Sequence, residues 1–303
     1  MKIIYGLLLF FFIYALCSCD KDIEYKFKAF KSQMVVNGLI SPEDGLLVRV
    51  SRSVTPDADT ASFSSLFIND AKVKLVQSSG KEILLRFTIN GEYISQDSFF
   101  PQPKTSYILI VTHPDFGIVE SEPVIIPKKI QIESIKADFS DRLSINDEQL
   151  VQYKIKLKDD LAVKNFYNLQ FFNNYATINR RTSASNVFLK NLSTLNACQS
   201  YDYQTMPYFN DQCFNGKTAE LIYETEVENL LIATGGKRAL PTTMEVNLLS
   251  LTETAFNYYR SRKVPEDFEH TFSDPLPLVS NMKGGLGIFI AYSKTSFVFP
   301  VPK

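Results

Sequence analysis

The sequence predicts a mainly β protein, with an N-terminal β-sandwich of immunoglobulin-like or transthyretin-like type and a larger β-rich C-terminal domain carrying one or two short helices. Three observations carry this expectation. Apolar and polar residues alternate with period two along much of the chain, turn-forming clusters separate the runs, and 24 Phe and 15 Tyr supply strand-favouring aromatics where Trp is absent. A length of 303 residues is enough for two ordinary domains with real cores. At 45% hydrophobic and 21% charged residues, the composition excludes a disordered tail and a polytopic membrane protein. A net charge of -1 gives no broad field for nucleic acid, and 2 His leave little material for metal or histidine-based chemistry.

The elements follow in order. From Gln33 the alternation begins, with Val48 and Val50 set against Arg49 and Ser51, and Ala71, Val73 and Leu75 against Lys72 and Lys74. Tyr107, Leu109 and Val111 make one apolar face, and Ile108 and Ile110 make the other face of the same strand apolar too. Ser41-Pro42-Glu43-Asp44-Gly45, Ser78-Ser79-Gly80 and Asn90-Gly91 carry turn chemistry. About six or seven short strands at this spacing read as a sandwich. Pro123 and Pro127 bracket a last edge strand, which sets the sandwich at residues 31–127 and the second domain at 128–303. There Val151, Tyr153, Ile155 and Leu157 alternate with Gln152, Lys154 and Lys156, and strands are expected again over 166–172, 218–226, 242–249 and 287–299. Residues 191–217, rich in Asn, Ser, Pro and Gly, read as loop. Ser250 with Glu253 forms a capping-box pattern ahead of a helical stripe of Leu251, Thr254, Ala255, Tyr258 and Tyr259, closed by Arg260 and Arg262.

The N-terminus carries an address. After Met1-Lys2 an apolar run extends from Ile3 to Leu16. A membrane span needs about 20 apolar residues, so this run reads as a signal peptide over residues 1–18. Leu16-Cys17-Ser18-Cys19 resembles the lipobox of bacterial lipoproteins, with an aliphatic residue three before the modified Cys and a small one just before it. Sulfur is the nucleophile that takes the diacylglycerol, and cleavage before Cys19 frees an amine for a further acyl chain. Stable anchoring takes two or more such chains. Residues 19–30 then form the lipidated Cys and a polar tether. Within it, Asp20-Lys21-Asp22-Ile23-Glu24 is similar to the surface-export signal of some Bacteroidota lipoproteins, which points to the cell-surface face of the outer membrane. An ordinary secretory peptide and a merely solvated tether are the competing readings.

In the exported body, Cys198 and Cys213 are the only remaining thiols, and an oxidising route favours a disulfide over two buried free thiols. Tyr201, Tyr203, Tyr208 and Phe209 stand beside Asp202, Asn210 and Asp211, a mixture typical of recognition surfaces, where the ring supplies area and the hydroxyl direction. The competing reading folds those rings into the core. Lys283-Gly284-Gly285-Leu286-Gly287 lacks the Gly-Lys-Ser/Thr and following helix of a phosphate loop, so its glycines are expected to serve a bulge or close backbone packing. His113 and His270 stand apart from any ligand spacing, and pairs such as Asp159-Asp160 read as solvated turn charges. No catalytic residue, metal site or cofactor is expected.

Several stretches together resemble a family. Val35-Val36-Asn37-Gly38-Leu39-Ile40, Val48-Arg49-Val50-Ser51-Arg52-Ser53, Ala71-Lys72-Val73-Lys74-Leu75, Phe256-Asn257-Tyr258-Tyr259, Phe272-Ser273-Asp274-Pro275 and Ser280 through Phe289 are similar to the domain-of-unknown-function 4249 lipoproteins of Bacteroidota, over nearly the whole mature chain. The resemblance implies an envelope lipoprotein, often encoded beside a TonB-dependent outer-membrane receptor, and implies no catalytic residue. The expected role is therefore a non-catalytic accessory or ligand-capture subunit of such a β-barrel receptor, held to the membrane by its lipid and without a nucleic-acid partner. A structural or adhesive surface protein and a secreted hydrolase remain the alternatives.

Overall fold

The computed structural model describes residues 31–55, 63–95, 99–160, 163–174, 190–191, 198, 200–203, 206–234, 237–267 and 277–302. The leader, Cys19 and the tether to residue 30 lie outside the described residues, as does His270.

The first half begins with a hairpin of β1 (Met34–Ser41) and β2 (Gly45–Arg52). Gly45 takes φ 79°, and the Ser41 hydroxyl accepts the Glu43 and Asp44 amides, so the expected turn residues close it. Then follow β3 (Lys72–Gln77), β4 (Glu82–Phe87), β5 (Glu92–Ser95), β6 (Ser106–His113), β7 (Gly117–Ser121) and β8 (Val124–Ile125). The second half holds β9 (Ile132–Leu143), β10 (Gln149–Lys158), β11 (Phe166–Asn174), β12 (Lys190–Asn191), β13 (Ser200–Tyr203), β14 (Met206–Asn210) and β15 (Thr218–Glu226). After it come β16 (Ile232–Thr234), β17 (Lys237–Ala239), β18 (Thr243–Leu251), helix α1 (Glu253–Asp267), β19 (Met282–Lys283) and β20 (Leu286–Pro300). The protein is mainly β with a sandwich-like layout, as the alternation predicts.

Along the N-terminal sheet the order is β20-β1-β2-β5-β4-β3-β6-β7-β19. Because β19 and β20 are consecutive, the last strand returns beside the first, and Asn281 fixes the seam by exchanging two 2.8 Å hydrogen bonds with the Phe289 backbone. Inside lie Val36, Val48, Val50, Leu75, Tyr107, Leu109 and Val111, the alternating residues of the sequence pattern. In the second half, β13-β14-β11-β18-β20 faces β12-β15-β10-β9 across a core of Tyr153, Ile155, Leu157, Tyr167, Leu169, Leu221, Tyr223, Val246 and Leu248.

One strand belongs to both halves. Leu286–Ala291 of β20 pairs in parallel with Val35–Ile40 of β1, and Tyr292–Pro300 pairs antiparallel with β18. Phe289 and Ala291 enter the first core and Phe299 the second, while Ile288 and Ile290 point to the opposite face. The boundary expected at residue 127 falls between β8 and β9, yet the chain from Met282 onward returns to the N-terminal sheet. Gly285 and Gly287 permit that return. A Cβ on Gly285 would meet the Met34 carbonyl at 2.6 Å, and Gly287 holds φ 115° against the Val36 carbonyl.

Two local expectations are corrected. Among the described residues of 191–217 are the end of β12, all of β13 and β14, and a tight turn over 211–217. Helix α1 is capped by Thr252, whose hydroxyl accepts the Ala255 amide at 3.2 Å; Ser250 and Leu251 remain buried in β18. Pairing of β18 with β11 and β20 carries the strand one residue past the proposed cap, to Leu251, and Thr252 is the first residue free to leave the sheet.

Candidate functional site

The aromatic residues singled out in the sequence meet at α1. Strand alternation sends Tyr208 and Phe209 to opposite faces of β14. Phe209 is fully buried in the second core, with ring centroids 5.2 Å from Tyr167 and 6.3 Å from Phe214. It packs rather than presents, which corrects its assignment as a contact residue. Tyr208 points to the α1 side. Its ring lies parallel to Tyr201, with centroids 5.0 Å apart and planes at 3°, and lies 5.1 Å from Tyr259. Tyr259 meets Tyr258 edge-on at 5.4 Å, and the Arg262 guanidinium lies 5.9 Å from the Tyr258 ring. The result is a ladder of four tyrosines ending in a cation. Tyr208 is buried, and Tyr201, Tyr258 and Tyr259 are half-buried. Only the backbone of Tyr203 is among the described residues.

The ladder rests on an apolar floor of Phe166, Leu249, Leu251, Ala255, Phe256, Ile288 and Ile290. Tyr201 donates its hydroxyl to the Phe256 carbonyl, and Tyr292 donates to Asp44 at 2.9 Å. Burial first, and then the neighbouring Tyr259, pushes the Tyr201 hydroxyl well up; burial and then Asp44 do the same for Tyr292. Both stay neutral hydrogen-bond donors at any physiological pH. Each ring pair contributes about 0.5–1.5 kcal/mol beyond area burial, so the ladder is a stiff element.

A second network fixes the loop behind it. Cys198 and Cys213 are joined in a disulfide with Cα atoms 4.9 Å apart, as the thiol arithmetic favours. Buried Asp159 accepts the Tyr167 hydroxyl and Asn165 Nδ2 at one oxygen, and the Gly216 amide at 2.8 Å at the other. Buried Asp211 accepts the Asn165 amide at 2.8 Å. Asp159 is thus a structural clamp, not the solvated turn charge expected, while its neighbour Asp160 pairs at the surface with Lys128 at 2.7 Å. Burial and the Asp159 carboxylate hold the Tyr167 hydroxyl protonated. His113, also expected to be idle, is buried and turns Nε2 toward Asp70 at 3.1 Å, while its Nδ1 accepts the Asp115 amide. No group of three potential metal ligands converges among the described residues.

Tyr258, Tyr259 and Arg262 entered the sequence reading only as a helical stripe and its end. Arg262 follows Tyr258 by four residues and Tyr259 by three, the spacing of a shared helical face.

Two β-rich halves joined through a shared strand, with an aromatic ladder under one helix, define a mainly β protein in which buried polar groups such as Asp159 and Asp211 hold loops in place. The chain belongs to the family described as "Domain of unknown function (DUF4249)", whose model matches residues 20–297. No curated protein matches the sequence. Among solved structures, the BSP domain of a biofilm associated protein is similar at 10% identity and TM-score 0.22, over 94% of this chain and 62% of that one. The major pilin subunit BcpA of Bacillus cereus, as its D312A variant, is similar at 11% identity and TM-score 0.22, over 74% of this chain and 65% of that one. The chain spans less than two thirds of either structure, and at these scores neither likeness carries an argument.

Proposed function

We propose that the protein is a lipid-anchored outer-membrane protein of the cell surface, acting as a non-catalytic accessory or ligand-capture subunit of a TonB-dependent β-barrel receptor. The observation that carries this reading is the position of the family match, which begins at residue 20, one residue past the lipobox Cys19. A family match that takes up one residue behind the lipobox Cys fits a body tethered through its N-terminal side. The tyrosine ladder supports the binding half of the proposal. Rigid half-buried rings lose little side-chain freedom on contact, and Arg262 adds a directional cation at the rim.

The test is affinity capture of the full chain from native outer membranes, alongside mass spectrometry of its N-terminus. Wild type should carry acyl chains on Cys19 and recover a β-barrel receptor. The double variant Tyr258→Ser/Arg262→Glu should lose the receptor at a cost of only about 2–4 °C in melting temperature, the loss of about one ring pair. Capture of no barrel from membranes that retain the acylated protein overturns the accessory role and favours a structural or adhesive one.

A further inference from the structure

Strand direction assigns each turn of the N-terminal sheet to one of two ends, and exposed apolar side chains occur at both, Phe100 and Ile125 at the end that faces the second half. At one end lie the β1–β2 turn, the β3–β4 turn and the β8–β9 connection. This end faces the second half, because Glu43 and Asp44 of the β1–β2 turn bind Lys294 and Tyr292 of β20, and Lys129 approaches Glu43 at 3.5 Å. At the opposite end β1 begins, β2 ends, and the β4–β5, β6–β7 and β19–β20 turns reverse the chain. Chain entering the sheet from the N-terminal side therefore arrives at that distal end.

The distal end also carries large apolar side chains in water. Ile89 in the β4–β5 turn is 61% exposed, Ile118 at the start of β7 is 59% exposed, and Leu286 at the start of β20 is 42% exposed. Ile118 and Leu286 flank one spot, since Gly284 abuts the Ile118 carbonyl and Gly285 abuts Met34. Turns normally carry polar residues at such positions, and nothing in hairpin geometry calls for Ile at residue 89 or 118. Charges around them are mixed in sign: Arg52, Lys72 and Lys283 are exposed, and so are Asp70, Asp115 and Glu120.

We infer that this distal end is a lipid-contacting surface, in which Ile89, Ile118 and Leu286 enter the interfacial layer of the bilayer that holds the anchor. The inference rests on the lipid-anchored reading above. From Cys19 to Gln33 the chain has about 14 residues, which can span at most about 50 Å, and it joins the sheet at the distal end, which is therefore the end nearer the anchor along the chain. Three side chains bury far fewer methylenes than the single acyl chain that by itself binds membranes only marginally, so the unanchored protein should stay in solution. Anchoring changes this, because it makes the contact intramolecular and raises the effective lipid concentration. The mixed charges favour apolar insertion over attraction to anionic headgroups, so the contact should survive salt. Its consequence is orientation: the distal end lies on the membrane, and the β1–β2 turn and the β8–β9 connection at the other end of the sheet are turned away from it.

The absence of Trp makes a direct test possible. Ile118→Trp and, as a control at the opposite end of the sheet, Ile125→Trp each place a single indole in the full mature lipoprotein. Both are reconstituted in phosphatidylcholine vesicles with and without bromine on the acyl chains. Ile118→Trp emission should shift to the blue and fall roughly twofold or more in brominated vesicles, at low and high salt alike, while Ile125→Trp stays unquenched. A Leu286→Trp variant should repeat the Ile118 result and guards against local misfolding. Unquenched emission from both distal variants, with acylation of Cys19 verified by mass spectrometry, overturns the inference and leaves the anchored reading standing. A bare Cys19 overturns both. Equal quenching at both ends would mean the body has no preferred orientation, and would overturn the inference as well.

Discussion

Replacing Phe289 by Ala tests whether the two halves fold as one. Phe289 is fully buried, and its ring packs so tightly against β1 that a Cβ at Gly38 would lie 2.7 Å from it. Truncation of such a residue costs about 3–5 kcal/mol, against a total stability of about 5–15 kcal/mol for a typical fold. With a urea dependence of about 3 kcal/mol per molar, the midpoint should fall by roughly 1–1.7 M. The informative quantity is where that loss appears. Because β20 continues from the first core into the second, slow amide exchange should weaken equally over Val48–Val50 and over Tyr153–Leu157. Phe299→Ala, made in the other core, should weaken both regions in the same way. Hydrogen exchange in which Phe289→Ala loosens only the first region, with a second transition unchanged, would refute the shared-strand argument.

Gly287→Ala should destabilise by more than the usual ~1 kcal/mol, since it strains a φ of 115° and drives a methyl into the Val36 carbonyl; thermal melting checks this, and Gly117→Ala, with φ 80° but open space around it, should cost less. Breaking the Cys198–Cys213 bridge by Cys198→Ser/Cys213→Ser should cost roughly 3 kcal/mol for a separation of 15 residues, read as a lower urea midpoint; an unchanged midpoint would mean that Asp159 and Asp211 hold the loop unaided. Alkaline unfolding should be cooperative. Burial raises the hydroxyls of Tyr153, Tyr167, Tyr201 and Tyr292 above their ordinary value. The unfolded chain sheds these protons first, so their contribution is complete below about pH 10 and is lost above it. Absorbance of tyrosinate from these four residues should rise together with loss of circular dichroism, and stepwise ionisation ahead of unfolding would contradict their burial.

Much of the fold was legible because alternation is a local signal. Val36, Val48, Val50, Val73, Leu75, Tyr153, Ile155 and Leu157 all face inward as their spacing demands. The glycine run around Gly285 read correctly as close packing because a phosphate loop has a definite pattern that it fails. The destination of β20 was not legible. A parallel pairing between residues 35 and 286 leaves no mark within either segment, only two apolar runs that fit many partners. Strands β13 and β14 were hidden for a different reason: a disulfide and two buried carboxylates hold them where a longer apolar pattern otherwise would. In the candidate site, Tyr208 and Phe209 were not separable in advance, because their opposite facing follows from strand β14, which the loop-like composition of residues 191–217 conceals. Their pairing with Tyr259 needed the packing of α1, which a helix with only two fully buried side chains among its described positions announces weakly.

The parallel register of β1 and β20 has a mechanical consequence. A pull arriving through the N-terminal side loads β1 at its start, and resistance from the second half loads β20 at its far end. Parallel strands drawn from opposite ends are stressed in shear, so the rungs from Val35 to Ile40 must rupture together and cannot unzip one after another. Load applied between the N-terminal side and the second half thereby meets the sheet along its most resistant axis.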